Sequence, residues 1–367
     1  MASTSTLAVC SPLPEIPTPI PPQHVRLVVW RHGSNMLALD LPVEFVYSVV
    51  NLKPLKYLAY AAWSICGQWG ELRDGQGKEV DMDQLSLYEF WSYQYFTPQD
   101  VPFTKTVNHA LTKQHTKVGT SHGPKHSSVW ATQVKDRDGG CIFTGVTPPG
   151  PSIVADFVEN IKTHEVGDLS DINDIRNGIT LSSSLCTEYD AHKFAILPIP
   201  NDILSAVEMK EADPNHPRER RRVALFPTTG QRRLQRTAYI LHWMNPWKFE
   251  SEAWRENMDD MVTHCAQAGF VQQVEGSLPH QGLLHYRYGT SLIINFMNAT
   301  VSRGWDLLQK KRDHDEPPEE EEGPPAQISY SSAREEKALV IQSWFDSLHE
   351  VSKSFRKVEE WRNMAQT

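Results

Sequence analysis

Two stretches decide the reading of this chain: RDGGCIFTG at residues 137–145 and DINDIRNGITLSSSLCTEYDAHKFAIL at residues 171–197. Between them lies a variable segment that ends in VADFVENIK at residues 154–162. Outward toward the N-terminus, VRLVVW and MLALDL are apolar runs of strand character. RHGSN separates them, and its Gly-Ser-Asn suits a hairpin turn. From Lys53 to Trp69, Leu55, Leu58, Ala62, Ile65 and Trp69 recur at helical spacing, which predicts a buried amphipathic helix ended by Gly70. SLYEFWSYQYF at residues 86–96 is dense in aromatics and reads as core, or as the wall of a pocket.

Outward in the other direction, RERRR (Arg218 to Arg222) and QRRLQR (residues 231–236) concentrate positive charge around the apolar VALF. Arg218, Arg220, Arg221, Arg222, Arg232, Arg233 and Arg236 form either a solvated rim or a nucleic-acid contact. Residues 238–308, with WMNPW and SLIINF, read as helices packing on the rest. DHDEPPEEEEGPP then interrupts the pattern as an acidic, proline-rich linker. Beyond it, Leu339, Val340, Trp344, Leu348, Val351, Phe355, Val358 and Trp361 follow helical spacing, and Ser332 is placed to cap that helix. Its apolar stripe needs a partner, either this body or a second chain in a homo-oligomer.

Composition bounds the possibilities. A chain of 367 residues with 40% hydrophobic content can bury a substantial core. A net charge of -9 argues against general affinity for nucleic acid and confines any such contact to a local patch. The five cysteines, Cys10, Cys66, Cys141, Cys186 and Cys265, are scattered without a CxxC pair, which suggests reduced thiols. No run approaches the roughly 18 apolar residues of a membrane span, and the first residues lack the pattern of a signal peptide. The expectation is an intracellular protein, cytoplasmic or nuclear, with no membrane partner. His109, His115, His122 and His126 suggest a metal box, but only His122 and His126 have ligand-like spacing, and Pro124 disrupts the helix that would align them.

The quoted core resembles the HNH nuclease domain found in many fungal, mostly mushroom-type proteins of this size. The likeness rests on RDGGCIFTG, on the Arg176-Asn177-Gly178-Ile179 string, and on flanking pieces such as GLLHYRYG. It covers most of the chain between residues 25 and 300. It implies an α+β protein in which a ββα-metal (HNH-like) module is embedded between an N-terminal α/β segment and a largely helical C-terminal part. The expected divisions are a disordered arm at 1–23, an N-terminal α+β segment at 24–124 and the HNH-like module at 125–205. A C-terminal α+β segment at 206–308, the linker at 309–331 and the amphipathic helix at 332–367 complete them.

In such a module a hairpin and a helix clamp one divalent ion, a histidine takes a proton from water, and the ion stabilises charge on the scissile phosphate. Laid on the family pattern, Asp156 stands where the general-base histidine belongs and Asn160 where a second histidine would stand. Cys186 replaces the ion-binding histidine of the helix, and of the three signature positions Asn177 remains. An ordinary aspartate, with a pKa near about 3.9, is a weak base for water at neutral pH. Losing such a base costs on the order of a hundredfold to ten-thousandfold in rate. A thiolate suits zinc better than magnesium.

The expected catalytic positions are therefore Asp156, Asn177, Cys186 and His192, and the expected metal ligands Asp156, Cys186, Asp190 and His192. His192 is otherwise a hydrogen-bonded surface histidine. Three functions compete: a degenerate HNH-fold protein that binds without cleaving, a weak metal-dependent endonuclease, and a scaffold recruited as a small-molecule enzyme of cyclase, lyase or isomerase type. The third is motivated by the supply of 11 Trp, 11 Tyr and 13 Phe and by the exchange of His for Asp and Cys.

Overall fold

Strand β1 (His24–Arg31) and strand β2 (Asn35–Pro42) occupy the two apolar N-terminal runs and pair antiparallel, with Arg26 opposite Asp40. Alternation along β1 sends Val25, Leu27 and Val29 to one face and Val28 and Trp30 to the other, and both faces are buried. Arg26 is therefore withdrawn from water as well. Its guanidinium meets the Asp40 carboxylate at 2.7 and 2.9 Å.

These descriptions come from a computed structural model covering residues 20–31, 35–51, 53–87, 92–97, 128–145, 152–153, 169, 171, 173–215, 237–247, 262–270 and 276–298. The chain divides into the units Met1–Asp315 and Glu316–Thr367, and all described residues belong to the first. Several sequence expectations lie outside the described residues. They are most of the arm at 1–23, the four histidines between 109 and 126, Asp156 and Asn160, the arginines from 218 to 236, the acidic linker and the C-terminal helix.

After β2 come α1 (Val43–Val49) and α2 (Pro54–Cys66), then β3 (Glu71–Asp74) and β4 (Ser92–Phe96). The sheet runs β2-β1-β4-β3, with β4 parallel to β1 and antiparallel to β3. The aromatic segment thus supplies a central strand, and Tyr93 and Tyr95 sit in the main core. Helix α2 ends one turn before Gly70, because Gly67 adopts the left-handed conformation (φ 65°) and its N–H caps the Trp63 carbonyl. Gly70 has a different role: a side chain there would collide with the Phe96 carbonyl and the Tyr95 ring. Lys53 and Lys56, at the start of α2, both reach the Glu208 carboxylate, at 2.9 and 2.8 Å.

Helix α3 (Ser128–Asp138) leads into the central region. There β5 (Ser152–Ile153) and β6 (Gly178–Ile179) pair antiparallel, and α4 (Ser183–Asp190) follows β6. Next come β7 (Phe194–Ile199) and β8 (Ala238–Trp243), an antiparallel pair, and finally α5 (Gln281–Phe296). The chain is accordingly mixed α+β. The segment from Ala238 departs from the helical reading. AYILHW is a strand because its apolar run is buried on both faces and pairs residue for residue with β7.

Two cores result, and β7 serves both. Ala195, Leu197 and Ile199 face the core formed by the four-stranded sheet and α2, while Phe194 and Ile196 face a second core containing Ile142, Phe143, Leu181 and Trp243. Helix α5 spans the same two clusters, with Leu283 and Leu284 in one and Tyr288, Leu292 and Ile293 in the other. It crosses α2 at close range: a Cβ on Gly289 would lie within 3 Å of the Ser64 carbonyl carbon and the Ile65 nitrogen. Gly289→Ala should therefore force the helices apart and cost about 1–3 kcal/mol, as overpacking does, measured as a lowered urea midpoint with unchanged slope.

Candidate functional site

The RDGG motif lies at the end of a helix and does not open a hairpin. Arg137 and Asp138 are the last residues of α3, and the chain turns through Gly139 (φ 69°) and Gly140 (φ 150°), backbone conformations that favour glycine. Arg137 is 1% exposed. It donates to Asp138 Oδ1 through Nε at 2.6 Å and to Asp138 Oδ2 through Nη2 at 3.1 Å. The same guanidinium donates to the carbonyls of Ile175 (2.9 Å), Ser277 (2.8 Å) and Gly178 (2.6 Å). Asp138 in turn accepts the Thr180 N–H at 2.7 Å. Burial pushes the Asp138 carboxyl up from the ordinary carboxylate value, against the pull of the Arg137 guanidinium and the Thr180 N–H.

This pair shapes the Asn-Gly-Ile turn. Asp174 caps a 3₁₀ turn at Ile175–Asn177 by accepting the Arg176 N–H. Asn177 is fully buried. Gly178 has an ordinary extended φ of -118°, so its lack of a side chain serves packing: a Cβ there would overlap Val134 and Trp130 of α3. Trp130 also donates from Nε1 to the Asp174 carbonyl at 3.0 Å. The two quoted stretches of sequence therefore meet as one polar knot inside an apolar shell.

Helix α4 follows, carrying Cys186 and Asp190 one turn apart. The Cys186 thiol donates to Asp190 Oδ2 at 3.6 Å, with Cys186 half-buried and Asp190 exposed.

His192 is the surprise of this region: it is 1% exposed, not a surface histidine. It has a positive φ of 56°, donates its N–H to the Tyr189 carbonyl, and is followed by Lys193, whose N–H returns to the Glu188 carbonyl. Those two bonds make a Schellman closure of α4, with His192 at the position usually given to glycine. Its ring nitrogen Nδ1 lies 3.2 Å from the Ser291 hydroxyl of α5. Asn295 donates to the His192 carbonyl at 2.9 Å, and Arg287 donates to the Tyr189 carbonyl with its guanidinium 4.6 Å above the Tyr189 ring. Arg287, Ser291 and Asn295, spaced four apart on α5, thus grip the end of α4.

The structure therefore brings Cys186 and Asp190 together, turns His192 toward α5 and buries Asn177 beside the Arg137 knot. Among the described residues no three His, Cys, Asp or Glu side chains stand together as a metal-binding group, and Asp156 lies outside them. Arg137, Asp138, Arg287, Ser291 and Asn295 carry the local architecture without having been singled out for it. Only the polar i, i+4, i+8 spacing within RYGTSLIIN hinted at the last three.

Asp138→Ala should cost about 3–5 kcal/mol in chemical denaturation, because it strands a buried guanidinium. Cys186→Ser on the half-exposed face should cost under about 1 kcal/mol. Compared with family models, with curated proteins and with solved structures, this chain matches none.

Proposed function

We propose that this chain retains an HNH-type strand, strand, helix unit as a binding scaffold and does not perform efficient magnesium-dependent phosphodiester hydrolysis. The order β5, β6, α4 and the burial of Arg137, Asp138, Asn177 and Ile179 in the RDGG and RNGI strings support the scaffold half of this reading. One observation carries the other half. His192, the imidazole nearest in sequence to α4, is spent on closing that helix and on Ser291, while the helix itself presents a thiol paired with a carboxylate. A site that hydrolyses phosphodiesters needs a base matched to neutral pH and hard oxygen ligands for magnesium. In the family register Asp156 puts a weak base where the proton acceptor belongs, and Cys186 puts a soft sulfur where an ion ligand belongs.

The partner assigned to the scaffold is nucleic acid, held through the arginines at 218–236, which the sequence concentrates against an acidic total. Binding of that kind weakens steeply with salt, in proportion to the phosphates neutralised.

Plasmid DNA incubated with the purified full chain in magnesium, manganese or zinc should stay intact while its mobility shifts at low salt. Exchanging Arg220, Arg221 and Arg222 for alanine should flatten the salt dependence. Rapid cleavage that Asp156→Ala abolishes would overturn the proposal and make the protein a metal-dependent endonuclease.

A further inference from the structure

The flank of α5 adjoining its grip on α4 borders a buried seam with α2 and β8 that gathers three imidazoles. His242, fully buried on β8, sets Nδ1 2.9 Å from the Tyr288 hydroxyl, which lies 2.9 Å from the Tyr57 hydroxyl. Its ring stacks on His264 with centroids 5.4 Å apart, and its Nε2 is buried without a hydrogen-bond partner. His285, on α5, sets Nδ1 2.9 Å from the Tyr60 hydroxyl and packs edge-on to Trp63 at 4.7 Å.

The Trp243 N–H donates to His264 Nδ1 at 3.1 Å, so the proton of the neutral ring sits on Nε2 and points to Ser48 Oγ, also 3.1 Å away. Ser48 passes its own proton to the Phe45 carbonyl. That direction of donation makes His264 a poor base for Ser48, and the pair is architectural.

We propose that this seam is an acid-operated latch, in which protonation of His242, His264 and His285 releases α5 and, with it, the end of α4 that α5 grips. The groups facing the rings are nearly all neutral. They are Tyr57 and Tyr60 from α2, Tyr288 from α5, Cys265 beside His264, and Ser48 from α1. Lys210 acts on His264, and His280, which caps α5 by accepting the Gly282 N–H, acts on His285. Among the described residues no carboxylate pairs with any of the three rings. A proton arriving there meets burial and a like-charged neighbour, and the tyrosine hydroxyls can accept it only by breaking their present arrangement.

Burial pushes His264 down to about 4 and His285 down to about 3, and holds His242 well below the ordinary histidine value. The unfolded chain takes up protons at about 6.5, where the folded one does not. The sign follows: this stability is complete above about pH 6.5 and is lost as the pH falls toward the folded-state values. Because Arg287, Ser291 and Asn295 belong to the same helix as His285 and Tyr288, loosening the seam loosens the grip on Tyr189 and His192. This inference does not depend on the nuclease-scaffold reading.

Two measurements on the full chain test it. Between about pH 7.5 and about pH 5, the unfolding constant from denaturant titration should rise by about 30-fold for each of the three histidines. Amide exchange, corrected for its intrinsic pH dependence, should show α5 and Tyr189–Lys193 losing protection before β1 and β2. His242→Phe and, separately, His285→Gln should each remove about one 30-fold step. If one variant fails to fold, the other and the wild-type exchange pattern still decide the matter. An unfolding constant that stays flat over this range, an acid response undiminished in a folded variant, or protection lost simultaneously in all elements would overturn the latch.

Discussion

A guanidinium withdrawn from water must place each of its donors on an acceptor, or the fold loses more than the side chain's packing returns. Arg137 meets that demand by collecting the carboxylate of its neighbour and three main-chain carbonyls from Ile175, Gly178 and Ser277. Those carbonyls belong to the 3₁₀ turn, to β6 and to the approach to α5. A single side chain of α3 therefore fixes the placement of two segments far apart in sequence, residues 175–178 and the approach to α5. The carboxylate extends the constraint to Thr180, and the Ile142 N–H bonds the Thr180 carbonyl, closing the knot on the second core.

Helix α5 is the other organising element. It carries both the polar residues that terminate α4 and, alongside them, the aromatic and imidazole groups of the seam, and its end reaches β2 through Asn298, whose side chain and N–H bond Asp40 and the Ala38 carbonyl. The region around Cys186 and the N-terminal sheet are joined mechanically through this helix. Its N-terminus is tied as well, since the His280 N–H bonds the Arg176 carbonyl.

Part of this could be read from sequence. The short apolar runs VRLVVW and MLALDL, set apart by a turn, marked β1 and β2, and the helical period after Pro54 marked α2, because local pattern alone determines them. The end of α2 was misassigned between Gly67 and Gly70, since what separates the two is the proximity of Tyr95, a tertiary fact. β8 read as helix for a related reason: a strand buried on both faces shows no alternation. In the site, RDGG and RNGI stood out as strings, but nothing local reveals that Arg137 would bond to carbonyls forty and more residues away. His192 looked like a ligand because a histidine's chemistry is visible in sequence while its φ angle is not. The histidines of the seam stood too far apart in the chain to suggest one another.

The strand Phe194–Ile199 has no position turned toward solvent. Every substitution along it is felt by one apolar cluster or by its neighbour, so sequence drift finds no neutral place there. The same property forbids dissection: a fragment ending on either side of this strand would present a raw hydrophobic face and would be lost to aggregation. The N-terminal sheet and the region around α4 are therefore obliged to be inherited, expressed and degraded together.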